Sequence, residues 1–390
     1  MATAGYPLWV SSDSNAFHPE TLNYGEYLRM SQRGIPAPFF QSEASRDTAT
    51  IRASPITIVQ TLMEVDQWLH IFCSMVTNAQ ILEVLSPGEE ESYKERKQVM
   101  SAELVLTTPY VPAREAQFVR YSHQQLDGSW IVVDVSVDEL RQFHRPSTRS
   151  VCRKRPSGCL IRDMQNGSSL VTWVENVDVR EKEDEMHAIL KPFVESSFAF
   201  GASRWISTLQ RQAERFIYST GINISPSDAP ISPEGRRSLT MTANKMVVSF
   251  VLTYATPRTI TGLHQTKQDR KLWRSRPTSE GVILANPLDC TVLQAALWSS
   301  SHLIIESSIT SATYRTDLSG NSMLYGVDQD LPLMPFGFSI LPNVSGSILD
   351  GTLLTMVFQI TVKNVSSKQA VEVVTQIVKE ALQKIIEAVN

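Results

Sequence analysis

The fold of this chain is decided by residues 158–180, which read GCLIRDMQNGSSLVTWVENVDVR. Two runs with strand composition, residues 158–163 and 169–180, flank the dipeptide Asn166-Gly167. Asn-Gly favours tight hairpin turns because both of its residues tolerate positive φ angles. We therefore predict a β-hairpin here, and with it an antiparallel sheet.

The same kind of pattern continues on the N-terminal side of this hairpin. Residues 131–137 place isoleucine or valine at every odd position, which predicts a strand with one apolar face. The dipeptides Asp127-Gly128 and Pro87-Gly88 are further turn signals. Additional strands are predicted over residues 76–84, 97–106, 115–123 and 129–138. Together these elements indicate an antiparallel meander.

Two amphipathic helices bracket the meander. The first is predicted over residues 54–72, where Ser54 suits the N-cap and Pro55 the first helical position. The second is predicted over residues 184–218, and Gly201 near its middle would be explained by close approach to the sheet. The apolar stripe of this second helix comprises Met186, Leu190, Phe193, Val194, Phe198, Trp205, Leu209 and Phe216. A long helix laid across a curved sheet is an α+β helix-grip arrangement, and it leaves a cavity suited to apolar ligands.

The rest of the chain divides at a linker. Residues 221–237 are polar and rich in proline, and they separate a first part, residues 20–220, from a second part, residues 238–390. Residues 1–19 are expected to be irregular. In the second part, strands are predicted over residues 282–284, 292–296, 302–311, 322–325, 337–341 and 352–362, and helices over residues 238–253 and 366–389.

Composition and scattered motifs exclude several functions. The net charge of −4 argues against a dominant nucleic-acid-binding surface, and no apolar run reaches the roughly 18 residues that span a bilayer. No signal peptide is recognised at the N-terminus. The basic cluster within residues 145–155 is interpreted as a solvated loop, with a nuclear-import signal as the alternative. The cysteines are expected to be buried thiols, and the histidines form no catalytic or metal-binding pattern, so we predict no enzyme activity, metal or cofactor.

Several distinct short motifs lie along the first part. They include Glu43-Ala-Ser-Arg-Asp-Thr-Ala-Thr, Thr61-Leu-Met-Glu-Val-Asp-Gln-Trp, Trp130-Ile-Val-Val-Asp-Val-Ser, Val171-Thr-Trp-Val-Glu and Phe200-Gly-Ala-Ser-Arg-Trp. These segments resemble the START domain of plant class IV homeodomain–leucine zipper proteins. In the second part, Gly235-Arg-Arg-Ser and Pro335-Phe-Gly-Phe-Ser-Ile-Leu-Pro are similar to the START-adjacent region of the same proteins, although several dozen family residues are missing between about 277 and 302.

This resemblance implies a START helix-grip domain over residues 20–220 and a smaller, shortened START-adjacent α+β domain over residues 238–390. It also implies a lipid or sterol ligand in the cavity, a role in transcription regulation, and nuclear localisation with the cytoplasm as the alternative. No homeodomain or zipper motif is recognised before the START segment. Sequence-specific DNA binding is therefore not expected, and the chain would act through partners such as related transcription regulators. The alternatives are a protein-interaction domain with a vestigial cavity and a non-functional truncated paralogue.

The resemblance also suggests cavity residues. START domains often place an acidic–basic pair inside an otherwise apolar cavity, and position relative to Pro112-Ala-Arg-Glu indicates Glu103 and Arg120, with Arg114 and Glu115 as the competing pair. The other candidate cavity residues are Val133, Val135, Phe198 and Trp205. For the ionic pair, the competing interpretation is an ordinary surface position on a strand. For the other residues it is plain core packing.

Limited proteolysis of the full chain tests the domain boundary. We expect the first cuts between Ile222 and Arg237, because this stretch carries few apolar residues that could hold it in a core. The strands predicted within residues 134–174 should be cut later, because strand pairing protects their backbone. Early cleavage within residues 134–174 would contradict the proposed boundary.

Overall fold

The computed structural model describes residues 1–10, 20–31, 40–89, 92–108, 111–136, 150–180, 186, 188–220, 291–296, 309–316, 336–345 and 348–357, and positions 376, 380, 383, 384 and 387. The chain divides into two compact units, the first built mainly from Met1–Tyr218 and the second containing most of the remainder. The fold follows the predicted α+β helix-grip class in the first unit.

A ten-stranded sheet forms the body of the first unit. Its strands are β1 (Trp9–Val10), β2 (Glu20–Leu22), β3 (Gln41–Ile51), β4 (Val76–Ser86), β5 (Lys97–Leu104), β6 (Arg114–Gln124), β7 (Trp130–Val135), β8 (Ser150–Lys154), β9 (Ser157–Asp163) and β10 (Ser169–Arg180). The order is β1-β2-β3-β10-β9-β7-β6-β5-β4, and β8 pairs with both β10 and β6. The β6–β8 pair is parallel, whereas the other described pairs of this sheet are antiparallel.

Most of the predicted strands are confirmed. They correspond to β4, β5, β6, β7, β9 and β10, with ends shifted by a few residues. The predicted hairpin at Asn166-Gly167 joins β9 to β10, with Ser169 opposite Asp163 and Gly167 at a φ of +79°. At the next hairpin, Gly128 has a φ of +82°. Both glycines thus adopt the left-handed conformation that glycine favours in tight turns.

Two long-range strands were missed. β3 is polar and lacks clean alternation, yet it pairs with β10 along its full length. β8 lies in the basic cluster that was interpreted as a solvated loop, and this interpretation is wrong for its described residues, because Lys154 is buried. In both strands tertiary pairing overrides weak local β-propensity.

Helices cover one face of the sheet, here called the inner face. They include α2 (Pro55–Met63) and α3 (Val65–Ile71), where a single helix had been predicted over residues 54–72. Ser54 caps α2 as expected, since its side chain accepts a hydrogen bond from the backbone of Thr57. The extended backbone of Glu64, with φ −90° and ψ 116°, ends α2 and separates it from α3. The interruption lets α3 run as a separate short helix that brings Trp68 into the core.

The predicted closing helix over residues 184–218 is interrupted. A 3-10 turn (Ala188–Leu190) and α4 (Lys191–Glu195) precede a non-helical turn, and α5 (Ala202–Thr220) follows it. Gly201 therefore lies at the start of α5 rather than in the middle of a helix. Ser45 Oγ of β3 accepts a hydrogen bond from the backbone N–H of Ala202 at 2.9 Å, so the chain approaches the sheet closely at this point. Phe216, assigned to the apolar stripe, is 66% exposed.

The N-terminal residues pack on the opposite, outer face of the sheet. Residues 1–19 were expected to be irregular, but the described part contains β1, and a short helix, α1 (Tyr24–Ser31), follows β2. Leu8, Trp9 and Tyr27 form an apolar cluster with Val174 of β10. This cluster keeps the outer surface of β10 away from water.

Four further strands form a separate sheet in the order β11-β12-β13-β14. Its strands are β11 (Thr291–Ala296), β12 (Ile309–Thr316), β13 (Phe336–Ser345) and β14 (Ile348–Val357). They overlap the predicted strands, and residues 302–308 and 358–362 of those predictions lie outside the described residues. Strands predicted at residues 282–284 and 322–325, and the helix at residues 238–253, lie outside the described residues. Within the helix predicted over residues 366–389, the described positions are helical and exposed, with hydrogen bonds from Gln376 to Glu380 and from Gln383 to Glu387.

Replacing Gly201 tests the close approach of α5 to the sheet. An added Cβ would lie 2.0 Å from the backbone oxygen of Ser197 and 2.7 Å from Ser45 Oγ. We expect Gly201→Ala to destabilise the protein by roughly 1–3 kcal/mol, because the backbone at this point must shift. Gly25→Ala is the matched control, since its Cβ would meet only Asn23 Oδ1 at an ordinary 3.5 Å. Equal midpoints for the two variants in chemical denaturation would refute this account.

Candidate functional site

The inner face of the sheet is unusually rich in charge. The two-residue period of β6 points Arg114, Phe118 and Arg120 towards the helices. Arg120 Nη1 donates to the backbone oxygen of Leu62 in α2 at 2.6 Å, and its guanidinium lies 4.2 Å from the ring centre of Trp68 in α3. Charged groups are thus placed between the sheet and the helices that cover it.

Four charged side chains of the inner face form a continuous series, here called the ionic chain: Arg120, Asp134, Lys154 and Glu175. Arg120 makes a two-pronged contact with Asp134, with N–O distances of 2.7 and 2.8 Å. Lys154 Nζ lies 2.6 Å from Glu175 and 3.6 Å from Asp134. Trp173 Nε1 also donates to Glu175, at 3.3 Å. All of these side chains are buried, so each charge depends on its partners rather than on water.

The electrostatics of the ionic chain favour its charged form. Burial alone would raise the pKa of Asp134, but Arg120 and then Lys154 outweigh it and hold the pKa below its usual value. Burial alone would lower the pKa of Lys154, whereas Glu175 and Asp134 outweigh burial and raise it. Each partner therefore stabilises the ionised state of its neighbours.

A second ionic pair lies further along the inner face. Arg114 donates to both carboxylate oxygens of Glu43 at 2.6 and 2.8 Å, and both residues are buried. The guanidinium of Arg114 also lies 3.9 Å from the ring centre of Phe200, just before α5. This pair joins β6 to β3 through the interior, because both side chains point to the inner face.

Three indole rings stand between the sheet and the helices, and we call them the tryptophan column: Trp68 of α3, Trp205 of α5 and Trp173 of β10. The planes of Trp68 and Trp205 differ by 7°, with centroids 6.2 Å apart. Those of Trp205 and Trp173 differ by 6°, with centroids 5.3 Å apart. Trp173 Nε1 is paired with Glu175, but Trp68 Nε1 and Trp205 Nε1 have no hydrogen-bond acceptor among the described residues.

A further buried cation fixes the start of α5. Arg204 donates to the backbone oxygens of Val105, Ala199 and Ser74 at 2.7–3.0 Å. Burial, with a smaller contribution from nearby Arg211, lowers the pKa of Arg204 to about 9. Because backbone carbonyls and no carboxylate hold this guanidinium in the described structure, we interpret it as an anchor for α5.

The structure does not bring the predicted pair Glu103 and Arg120 together. Arg120 lies opposite Gln98 on β5, whereas Glu103 lies opposite Glu115 and points to the outer face. The Glu103 carboxylate accepts hydrogen bonds from Thr77 Oγ1 at 3.2 Å and Asn78 Nδ2 at 2.9 Å. The odd spacing between Gln98 and Glu103 along the strand is the reason, since it reverses the side-chain direction.

The competing pair and the aliphatic candidates are also separated. Arg114 reaches the inner face, but its acid partner is Glu43, and Glu115 points to the outer face. Val133 and Val135 lie opposite Tyr121 and Val119 on the outer face, so their expected placement in the interior is corrected. Val132 and Asp134 occupy the inner positions of β7 instead.

The two candidates near the closing helix are both buried. Trp205 is on α5 and belongs to the tryptophan column. Phe198 lies in the turn between α4 and α5, not within a helix. Their roles in ligand binding stay predictions.

Sequence reasoning missed Asp134, Lys154 and Glu43 as interior residues, and on β10 alternation alone leaves open whether Glu175 faces inward. A signal was present: Asp134 interrupts the apolar run of β7, and Glu175 interrupts that of β10. A lone carboxylate within an apolar strand requires a buried partner. The pattern does not show which basic residue supplies that partner.

In the part of the chain that the structure describes, metal-ligating side chains do not gather in groups of three or more that could hold an ion. None of the helices described there has the length and apolar character needed to span a membrane. Cys73, Cys152 and Cys159 are buried thiols, as expected, and Cys290 lies outside the described residues. Burial raises the pKa of the Cys152 and Cys159 thiols to about 12, which disfavours the reactive thiolate.

The sequence profile of the START domain family matches residues 1–215, more than half of the chain. The chain therefore belongs to the START family of lipid-binding domains. Its curated relatives include plant homeobox-leucine zipper proteins, in agreement with the resemblance seen in the sequence.

Three relatives show the extent of this similarity. Homeobox-leucine zipper protein HDG1 of Arabidopsis thaliana is 37% identical over 254 residues, 64% of this chain and 30% of that protein. HDG5 of Arabidopsis thaliana is 32% identical over 326 residues, 78% of this chain and 38% of that protein. ROC4 of Oryza sativa subsp. japonica is 36% identical over 278 residues, 66% of this chain and 34% of that protein. The chain spans about a third of the length of these relatives.

Solved structures with detectable similarity also carry START-related names. Human STARD10 is 12% identical, covering 58% of this chain and 92% of that chain, with a TM-score of 0.35. The lipid transfer and protein localization domain of human StarD13 is 13% identical, covering 52% of this chain and 87% of that chain, with a TM-score of 0.34.

Replacing Lys154 tests the ionic chain. We expect Lys154→Met to destabilise the protein by about 3–5 kcal/mol at neutral pH, because Glu175 and Asp134 lose a buried cation. The loss should be smaller in mildly acidic solution. An uncompensated buried carboxylate has a raised pKa in the folded state, so its penalty starts to fall as the pH drops through that raised pKa and is fully lost only below the ordinary pKa that the carboxyl has in the unfolded chain.

Two further variants control this experiment. Arg153→Met removes the neighbouring cation, which lies over Phe40 rather than in the ionic chain, and should cost only about 1 kcal/mol or less. Adding Glu175→Gln to Lys154→Met should recover part of the lost stability, because it removes the unpaired charge. Urea unfolding midpoints provide the measurement. A similar cost for Arg153→Met and Lys154→Met would sink the interpretation.

Proposed function

We propose that the first unit binds a lipid or sterol between the inner face of the sheet and α5, and that the bound ligand regulates transcription through partner proteins. The observation that carries the proposal is that residues 1–215, which match the START family, form a helix-grip arrangement. We further propose that the chain is not an enzyme, and that it acts in the nucleus with related transcription regulators, in line with the names of its relatives.

The architecture supports ligand-dependent stability. Helix α5 meets the sheet through Trp205 on Trp173, and its first turn is fixed by Arg204 and by the Ser45 contact. A ligand held between these surfaces would add contacts that only the folded state offers. A free ligand concentration of a hundred times the dissociation constant would stabilise the unit by about 2.7 kcal/mol.

The turn between α4 and α5 offers a route for ligand exchange. Backbone hydrogen bonds tie the strands to one another, whereas this turn joins two separate helices and contains Ser197 at a φ of +62°. Its displacement would uncover the start of α5 without breaking strand pairing. We propose that ligand exchange requires movement of this turn, which contains the buried side chain of Phe198.

A protein-interaction domain with a vestigial cavity is the second candidate. It is favoured by the inner face itself, where the charges of the ionic chain satisfy one another and the tryptophan column fills space beneath α5. Under this alternative the inner residues serve packing alone. Partner binding would then be independent of any lipid.

Native mass spectrometry of the purified chain, followed by lipid extraction, separates the two candidates. We expect one lipid molecule per chain in a reproducible fraction of the protein. Phe198→Asp should lower that fraction, because it places a charge at a buried position beside the exchange route. Phe216→Asp is the matched control, since Phe216 is 66% exposed, and it should retain lipid like the wild type.

The outcomes point in different directions. Absence of any retained lipid, in a chain with normally protected strand amides, would favour the interaction domain. Equal retention by Phe198→Asp and the wild type would reject the exchange route but leave lipid binding standing. Loss of all amide protection in Phe198→Asp would show that this residue is part of the folding core.

A further inference from the structure

The tryptophan column contains two indole N–H groups that the described protein atoms leave without an acceptor. Trp68 and Trp205 are buried almost completely, yet neither Nε1 atom finds an acceptor. Buried tryptophan N–H groups are normally hydrogen-bonded, since leaving one unpaired costs as much as removing it from water. Two such groups on stacked rings are therefore unlike the satisfied charges around them.

We propose that these two N–H groups form a recognition site for the oxygen of a neutral lipid, such as a hydroxyl, ester or ketone oxygen. This inference rests on the proposed function and specifies which ligand chemistry the inner face accepts. An indole N–H is a donor only, so its complement is an acceptor atom. The two rings come from α3 and α5, and their centroids lie 6.2 Å apart, so both donors belong to one small region of the interior.

The surrounding charges favour a neutral ligand over an anion. The cations that lie over the two rings already have carboxylate partners: Arg120, over Trp68, pairs with Asp134, and Lys154, over Trp205, pairs with Glu175. A carboxylate or phosphate added here would be a buried charge beside cations that are already neutralised. A hydroxyl or carbonyl oxygen would accept from the indoles without disturbing the ionic chain.

Trp173 supplies a control within the same column. Its ring stacks on Trp205, but its N–H is already paired with Glu175. Trp→Phe at any of the three positions keeps an aromatic ring and removes one N–H. Only at positions 68 and 205 does the substitution remove a donor that the described protein leaves unpaired.

Binding of three probes with the same chain length tests the inference in the full-length chain. The probes are hexadecan-1-ol, hexadecane and palmitate, and retention is measured by equilibrium gel filtration with radiolabelled compounds. The wild type should retain hexadecan-1-ol more tightly than hexadecane or palmitate. Trp68→Phe and Trp205→Phe should each weaken hexadecan-1-ol binding roughly three- to tenfold, the effect of one hydrogen bond, and should leave hexadecane binding nearly unchanged. Trp173→Phe should change the binding of both probes by a similar factor, so that the preference for hexadecan-1-ol remains.

Wild-type protein provides a measurement that does not depend on the variants folding. Selective ¹⁵N labelling of the indoles should show the Trp68 and Trp205 N–H resonances moving downfield on addition of hexadecan-1-ol, but not of hexadecane. The Trp173 resonance should move much less, because its acceptor is Glu175 in both states.

Each outcome decides a separate point. Equal retention of hexadecan-1-ol and hexadecane, with unmoved indole resonances, would overturn the recognition site and leave lipid binding intact. Preferred retention of palmitate would overturn the neutral-ligand assignment. Retention of none of the probes, with no lipid extracted from the purified chain, would reject the proposed function as well.

Discussion

The buried ionic chain is the constraint on which the rest of the first unit depends. Arg120, Asp134, Lys154 and Glu175 come from β6, β7, β8 and β10, and they meet beneath the helices. A shift of one residue in any of these strands would turn its charge to the outer face and leave its partners unpaired in the interior. Mutual neutralisation therefore sets the register of the central strands more tightly than apolar alternation does.

The helices are positioned by two kinds of contact with this sheet. Aromatic stacking through Trp173 and Trp205 supplies broad contact area, whereas the Ser45 contact at Gly201 and the carbonyl anchors of Arg204 fix one end of α5. The closing segment is interrupted because both requirements must be met. A continuous helix through Gly201 could not bring Ala202 against β3 and also carry α4 in line behind it.

The sequence predicted most strands of the sheet but only part of the site. Turn dipeptides such as Asn166-Gly167 mark strand ends locally, so β9 and β10 could be placed from the sequence alone. β3 could not, because its polar residues find their role only through pairing with β10. Alternation in β7 separated Val133 from Asp134, but it does not say which face is inner. The apolar set was assigned inside, whereas Asp134 is the interior residue, neutralised by an arginine on the neighbouring strand.

The near-parallel indoles have a spectroscopic consequence. Ring planes within 6–7° of one another and centroids 5.3–6.2 Å apart couple the electronic transitions of the three tryptophans and allow efficient exchange of excitation energy. Because the rings belong to α3, α5 and β10, this coupling exists only while both helices are docked on the sheet. Near-ultraviolet circular dichroism and intrinsic fluorescence therefore report whether both helices are docked on the sheet, without any attached label.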